Sequence, residues 1–222
     1  MSHPISDTGV PVSQPRAESF VDWFHINSRW ITIGAIVVAA VAFGVWLFER
    51  TDLNKTIRAD KQLVVAKQSL NSGNAPLAEA DLKKVADRYS DKAAGAEAGI
   101  LLGILRMERG DYSGAVTGLR YLTSKVSSGP NAATVRGLLG DGLAQLDKPA
   151  DAAVEYEKAA TATTMPNEKS YWESKAARAY LTAGKTVEAR KLYEVLAART
   201  DNEAVSTEAH LRLGEFAAAG KR

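Results

Sequence analysis

The sequence predicts an all-α protein: an N-terminal single transmembrane helix followed by a solenoid of helical hairpins, four repeats of 37 residues plus a capping helix. Three observations predict it. Residues 30–48 read WITIGAIVVAAVAFGVWLF, a run without a charge. From residue 59 onward, turn signals recur at a fixed spacing of 37 residues. Finally, Ala supplies 37 of the 222 residues while aromatic residues make up only 7%. Ala has the best helix propensity and lets helix backbones approach closely, so this composition suits packed helices.

The elements follow in order. Residues 1–16 hold Pro4, Pro11 and Pro15 among Ser, Thr and Gly and read as a disordered tail. Residues 17–29 form an amphipathic segment, with Phe20, Val21, Trp23, Phe24 and Ile26 interrupted by Asp22 and His25. It suits a membrane interface, or else extends the next helix. Trp30 to Phe48 is the membrane helix: at 1.5 Å per residue it spans roughly 28 Å, close to the hydrocarbon thickness of a bilayer. Arg29 and Arg50 bracket it, and Trp30 and Trp46 sit near its ends as interfacial anchors do. The exit VWLFERTD offers no small-x-small cleavage pattern, and the run exceeds a usual signal-peptide core. An uncleaved anchor is therefore expected. Ala35 with Ala39 and Ala40 with Gly44 could pack on another membrane helix. Residues 49–58 are a connector. The first 29 residues hold Arg16 and Arg29, whereas Arg50, Lys55, Arg58, Lys61 and Lys67 follow the span. That count favours a cytoplasmic C-terminal domain, but the rule is weak for long translocated domains.

Residues 59–222 carry the repeat. Gly73-Asn74, Gly110-Asp111, Asp147-Lys148 and Gly184-Lys185 are successive turns 37 residues apart. Seven residues before each turn stands a small residue: Ala66, Gly103, Gly140 and Ala177. Just before these come Val65, Leu102, Leu139 and Ala176. Five residues after each turn stands Ala78, Ala115, Ala152 or Ala189, then Leu82, Leu119, Tyr156 or Tyr193, then Val85, Leu122, Ala159 or Leu196. Each unit is two helices that cross at the small residues, with the larger residues filling the space beside the crossing. Ser90-Asp91, Ser127 to Pro130, Met165 to Asn167 and Thr200 to Asn202 separate the units and offer N-caps. Leu213-Gly214 begins a fifth unit, whose helix, about Thr207–Ala219, carries Glu208, Arg212 and Glu215 as a solvated cap. One hairpin cannot bury its apolar face; a stack of them can.

This pattern resembles the tetratricopeptide repeat. The Leu-Gly pairs at 102–103, 139–140 and 213–214, the Gly110-Asp111-Tyr112 triplet and the run DAAVEYEKA from Asp151 to Ala159 carry the resemblance, which covers residues 59–222. Two departures are clear. The aromatic residue of the pattern early in each first helix is replaced by Gln62, Gly99, Arg136 and Glu173, and the period is 37 instead of 34. Tail, aromatic patch, single span and degenerate repeat domain together resemble the YfgM-like family of ancillary SecYEG translocon subunits. That resemblance implies a repeat domain outside the cytoplasm that contacts the translocon, chaperones or exported clients. A general envelope scaffold or assembly factor shares the same anchor. A periplasmic cell-division coordinator with a cleaved signal is the third reading.

The sequence excludes several function classes. With 28 Lys plus Arg against 26 Asp plus Glu, a strongly basic nucleic-acid binder is ruled out. The chain has no Cys, and His3, His25 and His210 are far apart, so cysteine-bearing redox and zinc sites are absent. No G-x-S-x-G elbow, phosphate loop or EF-hand occurs. Neither enzymatic activity nor a cofactor, a metal or a small-molecule substrate is expected; the partners are proteins, and Trp30–Phe48 contacts the membrane. The expected binding surface is the concave face built by the first helices, where one column reads Lys67, Ile104, Asp141, Arg178 and Glu215. Alternating charges there either bind a peptide or are solvated. In the second unit, Ile100, Leu101, Ile104 and Met107 are spaced i, i+1, i+4, i+7. They line an apolar groove, or neighbouring helices bury them. The candidate groove thus comprises Lys67, Ile100, Leu101, Ile104, Met107, Asp141 and Arg178.

Overall fold

The computed structural model describes residues 17–129, 131–199 and 202–219. Among them are nine helices and no strand. They are α1 (Ala17–Asn71), α2 (Ala75–Arg88), α3 (Ala93–Glu108), α4 (Tyr112–Thr123), α5 (Ala132–Gln145), α6 (Pro149–Ala162), α7 (Pro166–Thr182), α8 (Thr186–Ala197) and α9 (Glu203–Ala219). The chain divides into two compact units, Met1–Asn54 and Lys55–Arg222. The expected tail, residues 1–16, lies outside the described residues, as do the side chains of the aromatic segment up to residue 27.

In the first unit, α1 carries a stretch long and apolar enough to cross a membrane, and none of its most apolar window is buried. The one hydroxyl within residues 30–48, Thr32 Oγ1, donates to the Ser28 carbonyl at 2.7 Å, so the helix satisfies the group itself. Near the end of the run Phe43 stacks on Trp46 with centroids 5.7 Å apart. The Arg50 guanidinium lies 5.4 Å from the Trp46 centroid, a cation–π contact. Residues 49–58, expected as a connector, are helical throughout.

The second unit is four hairpins and a single helix: the end of α1 with α2, then α3 with α4, α5 with α6, α7 with α8, and α9. All four predicted turns enter the left-handed region, with φ of 74° at Gly73, 78° at Gly110, 56° at Asp147 and 73° at Gly184. Three of them close by a bond back to the end of the first helix: Asp111 N–H to Arg106 O at 2.8 Å, Lys148 N–H to Leu143 O at 3.0 Å and Lys185 N–H to Tyr180 O at 2.9 Å. This is the glycine-type stop that satisfies orphan carbonyls. Ala78, Ala115, Ala152 and Ala189 are fully buried, and Leu82, Leu119, Tyr156 and Tyr193 are buried beside them.

One core cluster joins the first two hairpins through Leu63, Leu82 and Leu102. The larger runs from α3 and α4 to α9 and includes Leu119, Leu139, Tyr156, Trp172 and Tyr193. Val65 departs from its repeat equivalents: it is exposed, whereas Leu102, Leu139 and Ala176 are buried. This position packs on the preceding hairpin, and the first hairpin of the unit has none.

N-capping also differs from expectation. Asn74 Oδ1 accepts from Leu77 N–H at 3.2 Å, and Asp111 Oδ1 accepts from Gly114 N–H at 2.9 Å, so two side-chain caps lie in turns within the hairpins, and of the expected caps between units Asn202 is the one that forms ahead of its helix. Between units, α3 starts at Lys92 without a side-chain cap. Asp91 is instead bound by Lys55 Nζ at 2.9 Å. That bond holds the Asp91 carboxyl below its usual range. The last helix begins at Glu203, four residues earlier than the sequence pattern placed it, because Asn202 Oδ1 accepts from Val205 N–H at 3.2 Å.

Candidate functional site

The first-helix column is a ladder of ion pairs with one gap. Lys67 Nζ meets Glu97 at 2.5 Å, and Arg178 Nε donates to Glu208 Oε1 at 2.9 Å. Both pairs reach 30 residues ahead, onto the next first helix. Asp141 accepts from the Tyr156 hydroxyl at 2.6 Å and from Lys175. Glu215 accepts from Arg212 Nη1 at 3.0 Å on the same helix. Lys67, Asp141 and Arg178 therefore tie neighbouring elements together; they are neither simply solvated nor standing free. At Ile104 the ladder has no charge, and its counterpart 30 residues ahead is Thr134.

The four apolar residues of α3 separate. Ile100 is buried in the larger core cluster, 9% exposed, so it belongs to the packing and leaves the expected groove. Helices α4 and α5 pack against α3. Ile104 is half-buried and packs against that core. Leu101 is half-buried against the smaller cluster, and Met107 is half-buried as well. What stays partly open on this face is the apolar interval of Leu101, Ile104 and Met107, flanked by the Lys67–Glu97 pair and the Asp141–Lys175 pair.

Sequence reasoning missed the most elaborate cluster. The Lys175 ammonium lies 4.9 Å from the Tyr156 ring centroid and 5.5 Å from those of Tyr171 and Trp172, while it also pairs with Asp141. Trp172 stacks nearly parallel to Tyr156, at 12° and 6.2 Å, and meets Tyr171 edge-on at 4.7 Å. Burial, then the bond to Asp141, pushes the Tyr156 phenol above its ordinary value. Burial and a 2.6 Å bond to Glu157 do the same for Tyr180. The signal that could have found this cluster is the pair Gly137 and Gly140 on α5. A β-carbon on Gly137 would stand 2.1 Å from the Trp172 ring, and one on Gly140 would stand 2.6 Å from the Tyr156 ring. These glycines make room for aromatic rings supplied by the following helices.

Two of the four positions where the repeat lacks its aromatic residue hold ion pairs. Arg136 pairs with Glu155 at 3.3 Å, and buried Glu173 accepts from Arg199 Nη2 at 2.6 Å. Charge pairs fill the space in these two units. Among the described residues no group of three or more His, Asp or Glu side chains is placed to hold a metal ion.

The family model of the tetratricopeptide repeat-like domain matches residues 54–176, more than half of the chain. The chain belongs to the tetratricopeptide repeat-like family. No curated protein matches the chain. Among solved structures, it is similar to the nearly identical TPR-like repeats of a Podosopora anserina kinesin light chain. Identity there is 18%, the match covers 74% of this chain and 88% of that one, and the TM-score is 0.56. It is also similar to BtubC (BKLC) from P. vanneervenii, at 17% identity over 75% of this chain and 74% of that one, with a TM-score of 0.56. These likenesses concern the fold. A tetratricopeptide-like solenoid is a protein-interaction scaffold, working through the surface its stacked helices present.

Proposed function

We propose that this chain is a membrane-anchored protein-interaction module serving as an accessory subunit of the Sec translocon, linking export to extracytoplasmic chaperones. The observation that carries the reading is the combination in one chain of an unburied apolar helix and a tetratricopeptide-like unit. Trp30 to Phe48 holds the chain in a bacterial inner membrane, and the repeat unit, about residues 59–222, lies outside the cytoplasm. Residues 17–29 rest at the interface. Partner contact falls on the first-helix face, at Leu101, Ile104 and Met107, with Lys67, Asp141 and Arg178 setting its charged borders.

Photo-crosslinking from Ile104 in intact cells tests the partner: crosslinks to translocon subunits or periplasmic chaperones are expected, and crosslinks confined to other proteins would overturn the translocon role. Carbonate washing should leave the full chain in the membrane fraction, and protease added to spheroplasts should digest the repeat unit. Full protection would reverse the topology. The Lys and Arg residues after the span, Arg50 to Lys67, favour a second reading, a scaffold facing the cytoplasm, which that protection would support.

A further inference from the structure

A recess of about 450 Å³ opens on the other side of the second hairpin, between α2 and α4 over α3. Its origin is visible in the repeat. In the third hairpin the positions corresponding to Gly99 and Gly118 carry Arg136 and Glu155, an ion pair that fills the space. In the fourth they carry Glu173 and Leu192, in the first Gln62 and Asp81. Only the second hairpin has glycine at both: the Leu122 side chain covers Gly99, 2.9 Å from where a β-carbon would stand, and the recess opens at Gly118. Gly118 looks directly into it: a β-carbon there would meet nothing within 4 Å except Arg106 Nη1, at 3.7 Å.

The lining defines what fits. Gly99, Leu102 and Leu122 make an apolar floor. One wall is the Arg106 guanidinium, fixed by Nε to Glu79 Oε1 at 2.9 Å and by Nη1 to the Gly114 carbonyl at 3.2 Å. These two bonds fix the guanidinium beside the recess, and guanidinium planes are surfaces on which aromatic rings stack. Exposed Tyr121 stands at the rim. The charges around the recess are already paired: Lys83 with Asp87 at 2.5 Å, and Arg106 with Glu79 and, at 3.9 Å, Asp111. A charged guest would be desolvated without gaining a free counter-charge. An uncharged ring gains both apolar contact and the guanidinium face. The volume accommodates the largest side chains, and elsewhere in this fold helix glycines are covered by just such rings, Trp172 on Gly137 and Tyr156 on Gly140.

We propose that the recess between α2 and α4 is a docking site for an uncharged aromatic side chain presented by a protein partner, stacked on Arg106. It deepens the interaction-module reading by adding a second contact surface away from the first-helix face. The test is a titration of the full chain in nanodiscs, with leucine methyl groups labelled, using N-acetyl-tryptophanamide as the probe. N-acetyl-tryptophan, tryptophanamide and N-acetyl-leucinamide supply an anionic, a cationic and an aliphatic comparison. Saturable shifts are expected at Leu102 and Leu122 and not at Leu211, which is exposed on α9. The uncharged aromatic probe should bind tightest. Gly118→Leu, which plugs the recess with the residue type of the fourth hairpin, should weaken it by at least about tenfold. Gly118→Ala should weaken it less, and it decides the matter if the larger variant fails to fold. No saturable shift, shifts confined to other leucines, equal binding of a charged or aliphatic probe, or wild-type binding by both variants would overturn the proposal. Because the titration uses no partner, its failure is distinct from a failure of the translocon crosslinks.

Discussion

Adding a single methyl group to two helix glycines should change stability in opposite directions. Gly137→Ala places its β-carbon 2.1, 2.4 and 2.6 Å from three atoms of the Trp172 six-membered ring. The ring cannot easily withdraw. It is 8% exposed, stacked on Tyr156 on one side and braced edge-on by Tyr171. Overpacking a filled core costs about 1–3 kcal/mol, and overlap this deep belongs at the upper end. Replacing Gly by Ala in a helix returns about 1 kcal/mol. The net expectation is a loss of about 1–2 kcal/mol, a fall of roughly 2–8 °C in melting temperature for a chain of this length. Gly118→Ala makes the same chemical change where only Arg106 Nη1 is near, at 3.7 Å. It keeps the propensity gain and should raise the melting temperature by about 2–4 °C. Far-UV circular dichroism melts of the full chain in one detergent provide the comparison. A cycle with Trp172→Phe assigns the cause, since the smaller ring should remove most of the Gly137→Ala penalty. If Gly137→Ala melts at or above the wild type, or Gly118→Ala below it, the steric reasoning is refuted.

Three further outcomes are expected. Asp147 is the non-glycine member of the four left-handed turns, with φ of 56°, so Asp147→Gly should stabilise the chain by up to about 1 kcal/mol; a lower denaturation midpoint would contradict this. Burial raises the Tyr156 and Tyr180 pKa values above the ordinary 10.0. The folded state therefore holds these protons more tightly than the unfolded state, so their contribution is complete below pH 10 and is lost as pH rises above it. Alkaline melts should show that decline, and Tyr156→Phe should make it shallower; an unchanged slope would count against the assignment. Ile104→Asp should cost roughly 1–3 kcal/mol through lost apolar burial and a half-desolvated carboxylate. Lys67→Ala, at a half-exposed ion pair, should cost below about 1 kcal/mol. Equal melts for the two would show that Ile104 does not pack on the core.

The sequence by itself determined the period, the four turns, the residues at which the helices cross, and the apolar helix preceding them. Each is a property of spacing along one chain: a left-handed turn demands glycine or a tolerant substitute, a close crossing demands Ala or Gly, and a membrane span demands length without charge. Tertiary structure alone decided what those helices show one another. Ile100 reads as a groove residue in its own helix and is buried because the larger core, to which α4 and α5 contribute, encloses it. Lys67, Asp141 and Arg178 read as a charged column, and their partners Glu97, Lys175 and Glu208 lie on the next first helix. The Lys175 cage draws rings from α6 and α7, and the recess beside Gly118 is roofed by α2 and floored by α3, elements far from Gly118 in sequence. Such features depend on the rotation of one helix against another, set by packing over the whole stack and not by the spacing within any single element.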